Sequence, residues 1–144
     1  MRVYLDNSFL NRPFDNQNVG LNKIESAVLF FVFELVDIAK LTLVSSAVIE
    51  YENSFNSSLE RKLFVQRALV LAIEHLNVNE AIRRRALSLQ KEMKLDGIDA
   101  LHLAIAEAGK VDCFITCDYT IVKRYKGSLI VIRPADFMNF YEQQ

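Results

Sequence analysis

The chain is poor in residues that break or staple small folds. Its 144 residues include two cysteines, two prolines and four glycines. So few breakers exclude a low-complexity or disordered chain. Cys113 and Cys117 are too few for a disulfide framework, and they fall in one expected strand where a mutual bridge would be awkward. Free buried thiols in a reducing compartment are the plain reading. His75 and His102 both stand far from the cysteines in sequence, so no zinc pattern forms. Positive charge is not in excess either: the formal net charge is −1. Any nucleic-acid binding must therefore come from a local patch. Long apolar runs are missing as well. The longest stretch without a charged residue is Leu41 to Ile49, far below the ~18 residues a spanning helix needs. The start lacks the basic region and apolar run of a signal peptide. These absences lead to the expectation of a cytoplasmic protein that does not enter a membrane.

What is present is apolar and periodic. Hydrophobic residues make up 51% of the chain, and the length suits one domain spanning residues 1–144. Arg2 to Leu5 reads as a strand closed by Asp6, followed by a turn-rich stretch with Pro13 and Gly20 as breakers. A helix is expected from about Leu21 to Ala39, then a strand LTLVS at Leu41 to Ser45. Ser46 caps a helix through AVIEYENSF. A long helix is expected from Ser58 or Leu59 to about His75, and another after Asn77 or Asn79. Helix Gly97 to Ala108, strand Cys113 to Cys117, a short helix carrying Lys123 and Arg124, the strand LIVI and a Pro-started helix complete the chain. Strands alternating with helices, and apolar on both faces, indicate a parallel sheet covered by helices. The expected fold is an α/β sandwich.

In such a sheet, ligands bind where the strands end. Asp6 ends the first strand and Asp118 follows the FITC strand. Glu50 lies near the start of the helix leaving LTLVS. The helix bearing Asp99 runs antiparallel to the strand it precedes, so its start lies level with that strand's end. Asp6, Glu50, Asp99 and Asp118 are thus expected on one rim. Carboxylates that close repel one another unless a counter-charge intervenes. Their oxygens suit Mg²⁺ or Mn²⁺, and such a site suits phosphodiester hydrolysis.

Each acid also has an ordinary reading. Asp96 and Asp99 suit the start of a helix, Asp118 an N-cap and Asp6 a turn. Glu50 has Glu52 as a rival. His102, one turn after Asp99, is either a packed histidine or a ligand. Ser8 and Thr116 are candidate donors that orient Asp6 and Asp118. Arg12, Lys123 and Arg124 stand near the expected rim and are candidates for contact with substrate phosphates. The other basic clusters, such as Arg83-Arg84-Arg85, read as solvated faces.

The blocks YLDNSFLNRPF, SSAVIEYE, DALHLAIA and FITCD, in this order and spacing, resemble the PIN-domain family across essentially the whole chain. The resemblance implies a three-layer α/β/α sandwich with a central, mainly parallel sheet and a metal-dependent nuclease site. By position, Asp6, Glu50, Asp99 and Asp118 would be the acidic quartet holding Mg²⁺ or Mn²⁺, with Ser8 and Thr116 as neighbouring hydroxyls. The family's usual substrate is RNA. Many small members resemble VapC toxins, which form homodimers and are held inactive by a partner antitoxin. Two departures stand out: Asn7 follows the first acid where Thr or Ser is commoner, and the chain is slightly acidic overall. The expected function is a metal-dependent endoribonuclease, the toxin of a toxin–antitoxin pair. The alternative is a PIN-like module that binds RNA or protein without cutting. A phospho-acceptor domain would want an acidic pair or D-x-D after the first strand, and Asp6-Asn7-Ser8 supplies neither.

Overall fold

The computed structural model describes residues 1–144. Five strands form one sheet: β1 (Arg2–Leu5), β2 (Thr42–Ser46), β3 (Glu74–Leu76), β4 (Cys113–Ile115) and β5 (Val131–Ile132). Their order is β3-β2-β1-β4-β5 and every pairing is parallel. Eight helices connect and cover them: α1 (Asn7–Leu10), α2 (Gly20–Asp37), α3 (Ala47–Ser54), α4 (Leu59–Leu69), α5 (Glu80–Met93), α6 (Gly97–Ala108), α7 (Tyr119–Arg124) and α8 (Pro134–Glu142). The expected α/β/α sandwich with its parallel sheet is the observed fold.

The central strands explain the layering. Val3, Tyr4 and Leu5 of β1 and Cys113, Phe114 and Ile115 of β4 are all fully buried. Because the pleat sends alternate side chains to opposite faces, both faces of these strands must be covered. Tyr4 faces α3 and α6, where its hydroxyl meets Ser46 and His102. Val3 and Leu5 point the other way. Tyr4 also stacks on Phe114, its register partner in β4, with ring centroids 5.1 Å apart. Cys113 and Cys117 are free and buried, and burial pushes both thiols up to about 12. No helix is long and apolar enough to cross a membrane.

Helix starts follow the polar caps in the sequence. The side chains of Ser46, Ser58, Asn79, Asp96 and Asp118 each accept a backbone N–H at the start of α3, α4, α5, α6 and α7. Each satisfies one donor that the helix itself cannot.

One expected element is corrected. The helix beginning at Leu59 stops at Leu69, and the segment expected to continue it to His75 instead contains β3. The reason lies in distant partners. The Arg2 guanidinium grips both carboxylate oxygens of Glu74, at 2.8 and 2.9 Å, while Ser45 and His75 are hydrogen-bonded at 2.9 Å. Tertiary contacts of this kind override local propensity. The turn-rich stretch after Asp6 contains α1 and a 3₁₀ turn at Arg12–Phe14.

The end of α2 offers a test of the backbone. Ala39 has φ 59°, and the amides of Ala39 and Lys40 bond back to the carbonyls of Val36 and Leu35 at 3.0 and 2.8 Å. This is a Schellman ending, in which the left-handed residue is normally glycine. Ala39 is exposed, so Ala39→Gly should relieve the strain without opening a cavity. We expect it to stabilise the protein by about 0.5–1 kcal/mol, measured as a rise in the urea midpoint. An unchanged or lower midpoint would contradict the account.

Candidate active site

The parallel sheet sends the ends of β1, β2 and β4 to one edge, where a cavity of about 440 Å³ opens. Its lining includes Asp6, Glu52, Asp99 and Asp118 together with Arg12, Asp15 and Arg61. Three of the four acids expected on one rim are therefore brought together. Asp6 follows β1 and caps α1, Asp118 follows β4 and caps α7, and Asp99 lies in the first turn of α6.

Asp6 is buried and held on both oxygens. Oδ2 accepts from the Thr116 hydroxyl at 2.6 Å, and Oδ1 accepts from the Ser8 hydroxyl at 2.7 Å and the Phe9 amide at 3.2 Å. The two hydroxyls in turn accept backbone amides: Thr116 that of Asp118 at 3.0 Å, and Ser8 that of Cys117 at 3.2 Å. Each hydroxyl thus ties the end of β4 to the Asp6 carboxylate. Ser8 and Thr116 stand beside the acids as expected, although both side chains orient Asp6 and neither bonds the Asp118 carboxylate. Burial still raises the Asp6 carboxyl above its ordinary value, against the lowering effect of Thr116, His102, Ser8 and Phe9.

Asp99 carries the largest conflict. It is half-buried, and its carboxyl is pushed up to about 7. Burial is the first cause, followed by the charges of Asp118, Asp6 and Asp96. Asp96 itself caps α6 through the Ile98 amide at 3.0 Å and is not part of the cavity lining.

Glu50 is corrected. Its side chain is 59% exposed and lies 3.5 Å from His75, over a different depression lined by Lys62, Gln66 and Leu69. Glu52 takes the place in the cavity, and its Oε1 lies 2.8 Å from Nε2 of the buried His102. A helix turns about 100° per residue, so two positions apart is nearly the opposite face. The signal was available: Val48 and Ile49 are the inward apolar residues, and Glu52 lies four and three positions after them. His102 is accordingly a buried partner of an acid and also a packed residue, 1% exposed.

The basic candidates divide. Arg12 lines the cavity but is committed to Asp15 at 2.9 Å and to the buried Glu25 at 3.0 Å. Arg61, not singled out by the sequence, lines it too, held by the Phe14 carbonyl at 2.9 Å and lying over the Phe14 ring. Lys123 and Arg124 are not brought to the acids. With Lys94 and Lys126 they line a separate basic depression, because α7 turns its last residues away from the edge where Asp118 begins it. Asn7 is buried and donates to the Ile49 carbonyl at 3.3 Å, tying α1 to α3.

The donor set suits a hard divalent cation in kind and in charge. The acids offer carboxylate oxygens only, and their mutual repulsion at Asp99 is the conflict a cation relieves. No three acidic, histidine or cysteine side chains are closed around one point as they stand. The fit therefore lies in charge and chemistry.

The sequence profile of the PIN domain matches residues 3–127. No curated protein matches the sequence. Solved structures with a similar fold include VapBC2 from Rickettsia felis bound to a DNA fragment from its promoter. That match has TM-score 0.60 and 14% identity, covering 92% of this chain and 98% of that one. A toxin–antitoxin complex from Klebsiella pneumoniae matches at TM-score 0.56 and 20% identity, over 92% and 97% of the two chains. PAE2754 from Pyrobaculum aerophilum matches at 0.58 and 11%, over 100% and 97%. At these identities the likeness is one of fold.

The raised carboxyl of Asp99 has a consequence for stability. The folded protein holds this proton more tightly than the unfolded chain. Its contribution is therefore fully present below the ordinary value near 4 and is lost as pH rises through about 7. Asp99→Asn removes that loss. Without metal, the variant should exceed wild type at pH 8 by about 1–2 kcal/mol, a figure discounted for the exposure of the group. At pH 4 the two should be nearly equal. Urea melts at both pH values check this, and a variant less stable than wild type at pH 8 would refute a strained cluster.

Proposed function

The chain belongs to the PIN-domain family, and we propose that it is a divalent-metal-dependent endoribonuclease that hydrolyses RNA phosphodiester bonds. One observation carries the reading: Asp6, Asp99 and Asp118, from three separate segments, line one cavity where their charges and burial drive Asp99 up to about 7. Capping alone does not require three caps and helix starts to share a cavity with Glu52.

Asp6, Asp99, Asp118 and Glu52 would hold the metal. Bound Mg²⁺ or Mn²⁺ supplies neutralising charge and a more acidic water for an in-line displacement at phosphorus. The residues do the placing. Asp6 is fixed by three donors and presents its carboxylate without rotamer freedom. Asp118 is fixed at the start of α7 through the Thr120 amide at 2.8 Å. Asp99 accepts no hydrogen bond that would hold its charge, so it is the carboxylate freest to adjust. Glu52 holds metal or aligns the attacking water. Arg12 and Arg61 place positive charge in the same cavity, where the other charged side chains are all acids that would repel the substrate phosphate. Lys123 and Arg124, with Lys94 and Lys126, would contact RNA phosphates away from the cut.

The resemblance to the PIN-domain family supports RNA as the substrate, and the toxin–antitoxin complexes from Rickettsia and Klebsiella, which share the fold, support a toxin role with an antitoxin partner. Two apolar faces support protein partners: Leu21 and Ile24, exposed one turn apart at the start of α2, and a cleft of about 820 Å³ among α3, α5 and α6 lined by Tyr51, Leu87 and Leu101. We assign these faces to an antitoxin and to a second copy of the chain, in a cytoplasmic setting.

The test is cleavage of mixed structured RNAs with Mg²⁺, Mn²⁺ or EDTA. Wild type should cut only with metal, and Asp118→Asn and Glu52→Gln should each lose about 100-fold or more. Glu50→Gln should cut like wild type. Cutting in EDTA would overturn the metal-dependent reading. Loss of cutting in Glu50→Gln but not in Glu52→Gln would overturn the choice of acid.

A further inference from the structure

Four side chains from four elements, β2, β1, α6 and α3, form a hydrogen-bonded chain that runs from the sheet to the cavity. Ser46 Oγ meets Tyr4 Oη at 2.7 Å, and Tyr4 Oη meets His102 Nδ1 at 2.7 Å. His102 Nε2 meets Glu52 Oε1 at 2.8 Å. Ser46, Tyr4 and His102 are buried to 1% exposure or less, while Glu52 is partly exposed at the cavity. Nothing in the folding of β1 requires a tyrosine hydroxyl at its centre. An unpartnered one would be costly there, so the chain of partners needs an explanation.

The protons in this chain have one consistent direction. Ser46 Oγ already accepts the Ile49 amide at 3.1 Å as the cap of α3, which leaves its own proton for Tyr4. Tyr4 then gives its proton to Nδ1 of His102. Nδ1 is therefore bare, and the ring's proton sits on Nε2 and is donated to the Glu52 carboxylate. The reverse direction needs a protonated Glu52 and leaves the Ser46 proton without an acceptor in a dry core. That alternative buries an unsatisfied donor.

The chain also closes a loop. Ser46 and Glu52 belong to the start and the second turn of the same helix, and the hydrogen bonds join them through β1 and α6. Tyr4 cannot shift, because it is stacked on Phe114 and its strand is paired with β2 and β4.

We propose that Ser46, Tyr4 and His102 are positioning residues that lock Glu52 Oε1 through the Nε2–H of His102, leaving Oε2 for the cavity. The proposal rests on the reading of that cavity as a metal-dependent site. It separates Glu52 from Glu50 on physical grounds: the first is held by a chain anchored in the sheet, and the second lies exposed beside the half-exposed His75. It also gives His102 a role that packing alone does not need, since an apolar side chain would pack without partners on both nitrogens.

The experiment compares wild type, Tyr4→Phe and, as a control, Val32→Ala on α2, all at pH 7.5. Tyr4→Phe keeps the buried ring and removes only the hydroxyl. Imidazole nitrogen NMR of the metal-free protein should show wild-type His102 protonated on Nε2 alone, with a mixed tautomer in Tyr4→Phe. Mn²⁺ titration should show affinity about 10-fold weaker in Tyr4→Phe. Val32→Ala should lower the melting temperature and leave Mn²⁺ affinity unchanged, which separates positioning from mere stability. A wild-type His102 protonated on Nδ1 and bare on Nε2 would overturn the proposal. So would equal Mn²⁺ affinity in wild type and Tyr4→Phe. If wild type bound no Mn²⁺, the metal reading of the cavity would fall, and the NMR result alone would decide the direction of the chain.

Discussion

Everything at the candidate site depends on the shared direction of β1, β2 and β4. Parallel strands cannot be joined by hairpins, so each connection must cross back over a face of the sheet. All strand ends then gather at one edge, and the helices that leave them start there too. The first side chains past each strand are thereby neighbours in space, however far apart in sequence. Asp6 and Asp118 are separated by most of the chain, yet hydroxyls of Ser8 and Thr116 link the ends of β1 and β4 directly. The pairing of Leu5 with Ile115 in the sheet fixes that link before any side chain contributes.

The same direction sets the electrostatics. Helix starts carry partial positive charge, and three of the cavity acids lie at the starts of α1, α6 and α7. That arrangement eases but does not remove the repulsion, since Asp99 remains pushed up to about 7. The acids are also held unequally. Asp6 is saturated by three donors, Asp118 and Glu52 each take one, and Asp99 takes none. Rigidity is concentrated on the acid nearest the sheet, and freedom on the one whose charge is least supported.

The legible parts of the sequence were those written in punctuation. Asp6 and Asp118 stand directly after apolar strand runs, and Asp99 follows a cap at Asp96, so topology alone places them together. The sandwich was legible for the same reason, since strands without polar alternation must be covered twice. Three things were not legible, each for a physical reason. The choice between Glu50 and Glu52 depends on helical phase, where two positions reverse the face; only the inward pair Val48 and Ile49 discloses it. β3 is a three-residue edge strand with Glu74 and His75 in it, and it exists because Arg2 and Ser45 supply partners from elsewhere. Lys123 and Arg124 are close to Asp118 in sequence, but the path of α7 carries them to another depression.

A site built from converging acids sets folding against function. The burial that fixes Asp6 and raises Asp99 works against the charged forms that metal binding needs. The sheet tolerates this because its core is made elsewhere: Tyr4, Leu5, Phe114 and Ile115 are packed irrespective of the charges past their ends. Strain is therefore confined to a rim whose supports are hydroxyls, one imidazole and helix caps. Such a rim is costliest when the pH is high and its carboxylates are charged. Anything that binds the folded rim and not the unfolded chain shifts the folding balance toward the folded state. An ion held by these carboxylates would therefore stabilise the edge as it filled the cavity, because the groups that would ligate it are the same groups whose repulsion the edge bears.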